Sequence, residues 1–456
     1  MNDTIAAIAT PRAAGGISVI RISGNKSIEI TDKFFKPVSS EKIPSQMKGY
    51  TCAYGNYFDE NNEKIDDGIV TVFRSPRSYT GEDMTEVSCH GGIFVTQKLL
   101  RCIYRCGARP AEPGEFTKRA FLNGKMSLTQ AESVMDIISA DGENFYKCAE
   151  SLKEGSLFKR ISEISQKIIH ILGDISAWVD YPEEDISEVN NESLITSLKS
   201  IADELNRLAS TYDYGRIIRQ GIDTVICGKP NVGKSTIMNL LAGCERSIVT
   251  DIAGTTRDVI EESVRIGDIV LRLSDTAGIR ETSDEAEKIG VSLAERKINS
   301  ADLIFAVFDG SREFDPDDEK LCEKFRNKKN VIAVINKSDM ECIIDENKIR
   351  SSFENVISIS AVDNVSISVI ENILEKMLDE YDISDNIIIA NERQKSCVDN
   401  AIRCVNEAIS ALQFGDTLDA VEIIIEDAEN YLLELTGERI SEVIINEVFS
   451  RFCVGK

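Results

Sequence analysis

At 456 residues, 42% of them hydrophobic and 28% charged, the chain is too long for one ordinary core, and length alone suggests about three domains. A net charge of −25 excludes a broad positive field for holding RNA, so any contact with nucleic acid must be local or go through a partner. No run of about 18 apolar residues occurs, which argues against a membrane span. The two histidines, His90 and His170, are too few for a His-rich metal site, and the 12 cysteines lack any C-x-x-C, which fits a reduced cytoplasmic compartment.

The opening MNDTIAAIATPRAAGG has neither a basic-then-apolar signal pattern nor an Arg-rich transit pattern, so no targeting segment is expected. Residues 1–118 read as mixed strand and helix. TIAAIA and ISVIRIS are short apolar runs separated by Gly15-Gly16, and IVTVF and MTEVSCH are further strands. Lys98, Arg101, Arg105 and Arg109 fall at helical spacing, as a basic stripe or simply a solvated face. Cys102 and Cys106, four apart, fit a shared helix face better than a metal site.

From 119 to 215 the period becomes helical. Leu157, Ile161, Ile164, Ile168, Ile171, Ile175 and Val179 step by three and four, as do Leu194, Leu198, Ile201, Leu205 and Leu208. Tyr181-Pro182 breaks the first run. Over 216–379, strand-length runs (DTVIC, IVLRLS, LIFAVFD, VIAVIN, VISIS) alternate with helical stretches, the pattern of a mostly parallel sheet covered on both faces. Helical period returns over 380–456. The expected architecture is therefore α/β multidomain: an α+β N-terminal domain, then a helical domain in two segments with an α/β domain inserted between them.

GKPNVGKS, Gly228 to Ser235, follows a strand and opens a helix, as a phosphate-binding loop must. Its glycines let backbone N–H groups converge on phosphate oxygens, and the helix N-terminus adds its dipole. Asn231, Val232, Gly233, Lys234, Ser235 and Thr236 would surround the phosphates, with Lys234 on the β- and γ-phosphates and Ser235 on magnesium. SDTAG supplies Asp275, Thr276, Ala277 and Gly278, with Asp275 holding magnesium through water. NKSD places Asn336, Lys337 and Asp339 after a strand. A carboxylate there pairs with the two N–H donors of guanine, which adenine lacks, so GTP is selected. Ser360 and Ala361 fit the loop beside guanine O6, and Thr256 of GTTRD is a second magnesium ligand. Ile279 stands where Ras-like proteins carry a water-orienting Gln, so that task must pass elsewhere. The residues that follow offer Arg280, Glu281, Asp284, Glu285 and Glu287, among which the sequence does not choose.

Across its full length the chain resembles the MnmE (TrmE) family of bacterial tRNA-modification GTPases. The resemblance is carried by ATPRAAGGISVIRISG, SYTGEDMTEVSCHGG, RPAEPGEFTKRAFLNGKMSLTQAE, DYPEEDI, the GTPase motifs with DTAGIRETSDEAEKIG, and FCVGK, where the family's usual ending is C-I-G-K. It implies an enzyme acting with a flavin-dependent partner, MnmG (GidA), which carries FAD. Together they add an aminomethyl or carboxymethylaminomethyl group to carbon 5 of the tRNA wobble uridine, using a tetrahydrofolate one-carbon unit. It implies a homodimer made by an N-terminal folate-binding domain (1–118), a helical domain (119–215 and 380–456) and a Ras-like G domain (216–379). Folate contacts would fall on Arg21, Glu86, Lys125 and Lys456. Potassium would sit on Asn231, Thr250, Ile252 and Thr255, and Glu287 would be the catalytic Glu. Cys453 would be a functional thiol, for which Lys456 and Arg451 are candidate sources of positive charge. The G domain alone would equally suit a switch in ribosome assembly, which is the alternative function. A folate aminomethyltransferase acting alone would leave the G domain unexplained.

Overall fold

The computed structural model describes residues 3–180, 191–243, 262–274, 295–326, 328–360, 365–379 and 387–456. They divide into two compact units: residues 1–135, 152–198 and 403–456, and residues 136–151 and 199–402.

The first unit is built on a seven-stranded sheet of order β3-β4-β5-β6-β2-β1-β7. Its strands are β1 (Ile5–Ile8), β2 (Ile17–Ser23), β3 (Phe35–Pro37), β4 (Thr51–Phe58), β5 (Lys64–Phe73), β6 (Met84–His90) and β7 (Arg109–Pro110). All pairings are antiparallel except β1 with β7. Period-two alternation assigns the faces. In β2, Ile20 and Ile22 are fully buried in a core shared with helices α1 (Ser27–Phe34) and α2 (Ile93–Arg105). Arg21 must then point to the opposite face, where Ile5 and Ala7 pack under Phe116 of helix α3 (Glu115–Leu122). Arg109 lies in β7, beyond the end of α2, so the helical spacing from Lys98 holds only as far as Arg105.

The helical portion of this unit follows the same logic with a 3.6-residue period. In the helix Ser156–Asp180, residues Leu157, Ile161, Ile164, Ile168, Ile171 and Ile175 are buried. They form a stripe facing the helix Leu418–Thr436, which buries Val421, Ile425, Leu432 and Leu435. The final helix, Glu442–Ser450, sets Phe449 and the following Phe452 against Leu128, Ala131 and Phe121.

The second unit carries a six-stranded sheet of order β13-β12-β11-β8-β10-β9. Its strands are β8 (Ile222–Gly228), β9 (Glu262–Ile266), β10 (Ile269–Ser274), β11 (Leu303–Asp309), β12 (Val331–Asn336) and β13 (Asn355–Ser358). Five strands are parallel, and the edge strand β9 returns antiparallel to β10. Strand β11 is buried at all seven positions, as a parallel strand covered on both faces must be. Two apolar clusters lie on the two faces. The helix before β8, Tyr212–Gln220, ends at Gly221 (φ +82), where a Cβ would meet the Val270 carbonyl oxygen at 2.8 Å. Arg219 of that helix pairs with buried Asp136 at 2.9 Å and donates to the Ala390 carbonyl at 3.1 Å.

Candidate functional site

In the second unit, strand β8 delivers the chain into the phosphate-type loop, and the helix Lys234–Ala242 leaves it. Gly228 (φ +149), Asn231 (φ +64) and Gly233 (φ +96) all adopt positive φ. At Gly228 a Cβ would meet the Val307 carbonyl oxygen at 2.5 Å, and at Gly233 it would meet Asn336 Nδ2 at 2.2 Å. Backbone here approaches its neighbours more closely than any side chain permits. Asn336 Nδ2 donates to the Val232 carbonyl at 2.9 Å, tying the NKSD segment to the loop. Lys234 Nζ donates to the carbonyls of Gly228 and Lys229 at 2.9 and 2.7 Å. Asn231, Ser235 and Thr236 are exposed along the loop, and Val232 is buried beneath it.

The segment expected to read the base is prepared in the same way. Ser360 Oγ donates to Asp339 Oδ1 at 2.7 Å, fixing an exposed carboxylate. Lys337 (φ +68) bonds to Asp309 Oδ2 at 2.7 Å. Burial opposes ionisation of Asp309, but the bonds from Lys337 and Ser311 outweigh it and hold its pKa below the usual carboxylate range. Converging positive-φ amides at a helix N-terminus and a fixed carboxylate acceptor fit a guanine nucleotide. Thr250, Ile252, Thr255, Thr256, Asp275, Thr276, Ala277, Gly278, Ile279, Glu287 and Ala361 lie outside the described residues.

In the first unit, Arg21 of β2 and Glu86 of β6 are register partners. Arg21 Nη2 and Nε both donate to Glu86 Oε1, at 2.8 and 3.0 Å. The Arg21 guanidinium lies over the rings of Tyr79 (5.2 Å) and Phe116 (5.7 Å). The last residues of the chain close over this pair. Val454 bridges antiparallel to Pro113, the Gly114 N–H donates to the Cys453 carbonyl at 3.4 Å, and the Phe116 N–H to the Lys456 carbonyl at 3.2 Å. Arg21 Nη1 donates to the Gly455 carbonyl at 3.5 Å. Gly455 (φ +101) has room for no Cβ, which would sit 2.3 Å from the Ile8 carbonyl oxygen.

Lys456 Nζ is half-buried beside these groups. Burial lowers its pKa, and the neighbouring Arg21 and Lys153 lower it further, against the pull of Glu86 and Cys453. Cys453 itself is exposed. Of the two cations expected near this thiol, Lys456 is within electrostatic reach, whereas Arg451 pairs with Glu447 at 2.8 Å on its own helix. Lys125 does not bond to the Arg21–Glu86 pair; its Nζ donates to the Pro76 carbonyl at 3.0 Å.

Tyr79, Phe116 and Lys153 were not anticipated as members of this site. The first two lie in SYTGEDM and GEFTKR, but the sequence carries no sign that both rings would meet one guanidinium. Behind them sits a buried charge network. Arg119 is 1% exposed and bonds to Glu115, Glu82 and Asp3. Burial opposes ionisation of Glu115, but bonds from Arg109, the Glu112 N–H and Arg119 hold its pKa low. Among the described residues no cluster of three or more His, Cys, Asp or Glu side chains could hold a metal ion. No helix of the described residues is long and apolar enough to cross a membrane.

Two family models match: MnmE helical domain over residues 128–453, and GTP-binding protein TrmE N-terminus over residues 4–125. The tRNA modification GTPase MnmE of Acetivibrio thermocellus is 42% identical, with 100% of this chain and 99% of that one covered. The protein of the same name from Clostridioides difficile is 40% identical, with 100% of each chain covered. Solved structures overlap only loosely; the G domain of the T. maritima FeoB iron transporter is 22% identical, covers 35% of this chain and 98% of that one, and superposes with a TM-score of 0.25. By the full-length identity to its relatives, the chain belongs to the MnmE family.

Proposed function

We propose that this member of the MnmE family is a GTP-hydrolysing enzyme of tRNA modification, working with the flavin-dependent protein MnmG (GidA), which brings FAD. The product is an aminomethyl or carboxymethylaminomethyl group on carbon 5 of the wobble uridine of tRNA. Residues 1–118 take the folate and form a homodimer, residues 119–215 and 380–456 make the helical frame, and residues 216–379 turn over GTP. The observation that carries this reading is the docking of the CVGK segment, in which the Gly455 carbonyl accepts from Arg21 and Lys456 lies within electrostatic reach of Arg21, Glu86 and Cys453. A terminal segment held by three backbone contacts is not a frayed end.

Arg21 and Glu86 offer a fork of donors and a carboxylate, which suit the paired donors and acceptors of a pterin ring. Tyr79 and Phe116 hold the guanidinium in place. When bound, a tetrahydrofolate derivative supplies the one-carbon unit. Lys456, within electrostatic reach of Cys453, supplies the positive charge that favours a thiolate there. Lys125 contributes charge from the Pro76 side of the site.

On the G domain, amides of the 228–235 loop and Lys234 hold the phosphates, and Asn336, Lys337, Asp339, Ser360 and Ala361 select guanine. Ser235 and Thr256 hold magnesium. Asn231 with oxygens of Thr250, Ile252 and Thr255 would hold potassium, which would supply the charge neutralisation that an arginine finger otherwise gives. Glu287 orients the attacking water in place of the glutamine that Ile279 replaces.

Nucleoside mass spectrometry of tRNA from cells lacking this protein tests the reading. Loss of the carbon-5 group, restored by the wild type but not by Cys453→Ser, supports it. Unchanged wobble uridines would move the function to a GTPase switch in ribosome assembly, to be sought in ribosome profiles.

A further inference from the structure

Helix α2 ends in a pair of thiols that neither GTP turnover nor tRNA modification uses. The Cys106 N–H donates to the Cys102 carbonyl at 3.0 Å, so the last turn is α-helical. One such turn sets the two Cα atoms about 6 Å apart, within the range of roughly 4.4–6.8 Å that a disulfide spans, while the Cβ atoms, about 5–6 Å apart, must close to about 4 Å. Cys102 is buried in the sheet–helix core, with its Sγ 3.5 Å from the Phe58 carbonyl oxygen, while Cys106 is half-buried at the surface.

Cys106 is the cap residue of the helix. Its carbonyl accepts from Lys33 Nζ of α1, at 3.1 Å, rather than from the helix ladder. Gly107 follows with φ +118 and turns the chain away. Cys106 can therefore approach Cys102 by adjusting one terminal turn, without breaking a ladder on both sides.

We propose that Cys102 and Cys106 form a peroxide-sensitive dithiol, with Cys106 as the attacking thiolate and Cys102 as the resolving thiol. Cys106 sulfur attacks hydrogen peroxide; an S–O bond forms, the O–O bond breaks, and the departing hydroxide is protonated to water. The sulfur is oxidised by two electrons to sulfenic acid and the peroxide is reduced. Cys102 sulfur then attacks Cys106 sulfur, displacing the hydroxyl group, which leaves with the Cys102 proton as water. In sum, two thiols and one peroxide give one disulfide and two waters.

The electrostatics assign the two roles. The neighbouring Cys102 thiol brings the Cys106 thiol down to about 7, against burial and Glu60 and with help from Lys33. The neighbouring Cys106 pushes the Cys102 thiol well up, and burial, Glu60 and Asp59 push it further. Arg105, on the last turn of α2, is occupied by Glu60. A half-exposed thiolate beside a protonated buried partner is the arrangement a redox thiol pair needs.

The experiment oxidises the full-length protein with hydrogen peroxide at pH 7, alkylates the remaining thiols and digests with trypsin without reduction. Trypsin cuts after Arg101, Arg105 and Lys118 but not between Arg109 and Pro110, so a Cys102–Cys106 bond joins peptide 102–105 to peptide 106–118. The expected result is that linked pair, released by dithiothreitol. Cys102→Ser should instead leave a sulfenic acid on Cys106 that dimedone traps. Recovery of both peptides with alkylated free thiols would overturn the proposal. So would over-oxidation of Cys106 as fast in the wild type as in Cys102→Ser. At pH 6, Cys106 should alkylate about six-fold faster than an unperturbed thiol, after allowing for the lower nucleophilicity of a more acidic thiolate. The exposed change Lys33→Met should slow that reaction, and an unchanged rate would remove Lys33 from the mechanism.

Discussion

The GTP loop and the Arg21–Glu86 site are built in opposite ways. The loop is contiguous: Gly228 to Ser235 follow one strand and open one helix, and their dihedral angles are properties of a short stretch. The second site is assembled from remote chain. Arg21 and Glu86 are 65 residues apart, and the Arg21 bond to Gly455 spans 434. A contiguous site can be disabled one group at a time without loss of fold. An assembled site shares its residues with the architecture, so changes near it also cost stability.

Several substitutions would break or sharpen that contrast. Glu287→Ala should lower GTP hydrolysis by about 10²–10⁴-fold, the range for a lost acid–base or water-positioning group, while nucleotide affinity stays within about two-fold. A matching fall in affinity would show that the G domain, too, is a site in which structure and chemistry are inseparable. In the first unit, Arg119→Leu should destabilise by about 3 kcal/mol, because Glu82 would lose its guanidinium partner and buried Glu115 would keep only Arg109 of its two. Chemical denaturation measures this, and a change under about 1 kcal/mol would mean that water already screens the network.

Smaller effects test finer parts. Asp339→Asn should weaken GTP binding by roughly 10- to 100-fold by removing a charged acceptor, with little change in melting temperature. Replacing potassium by sodium at equal ionic strength should slow hydrolysis several-fold, and equal rates would remove Asn231 from cation binding. The smallest effect concerns Glu429, whose carboxyl accepts from Ser165 and leaves Oε2 without a partner. Burial raises its pKa, and the bond from Ser165 only partly offsets this. The protonated form is therefore favoured in the fold. Its stabilising contribution is fully present below the unfolded pKa and is lost as pH rises through the folded one. Glu429→Gln should raise stability at pH 7.5 by on the order of 1 kcal/mol and flatten that pH dependence. A loss of stability would mean that the charge itself is held by the fold.

Much of the architecture was legible because its signals are local. ISVIRIS shows period two and LFKRISEISQKIIHI shows period 3.6, and each is buried on the face its period assigns. Other expectations met competing interactions. The helical spacing of Lys98, Arg101, Arg105 and Arg109 does not lie on one helix, since α2 stops at Arg105 and Gly107 turns the chain into β7. The strand ESVRI, which turns the edge of the second sheet antiparallel, was not anticipated, since five residues with two charges make a weak strand signal. Arg451 was one of two candidate charge sources for the Cys453 thiol, yet Glu447 lies one helical turn away and pairs with it.

Alternation along β2 and β6 by itself determined which face Arg21 and Glu86 would occupy, and GKPNVGKS between a strand and a helix determined a tight positive-φ loop. Tertiary structure alone decided that Arg21 and Glu86 are register partners, that Tyr79 and Phe116 clasp the guanidinium, and that Gly455 lies against Ile8 with Lys456 alongside. The physical reason is range. A side chain's face follows from the residues on either side of it, whereas strand register and terminal docking are contacts between segments whose separation no local pattern encodes.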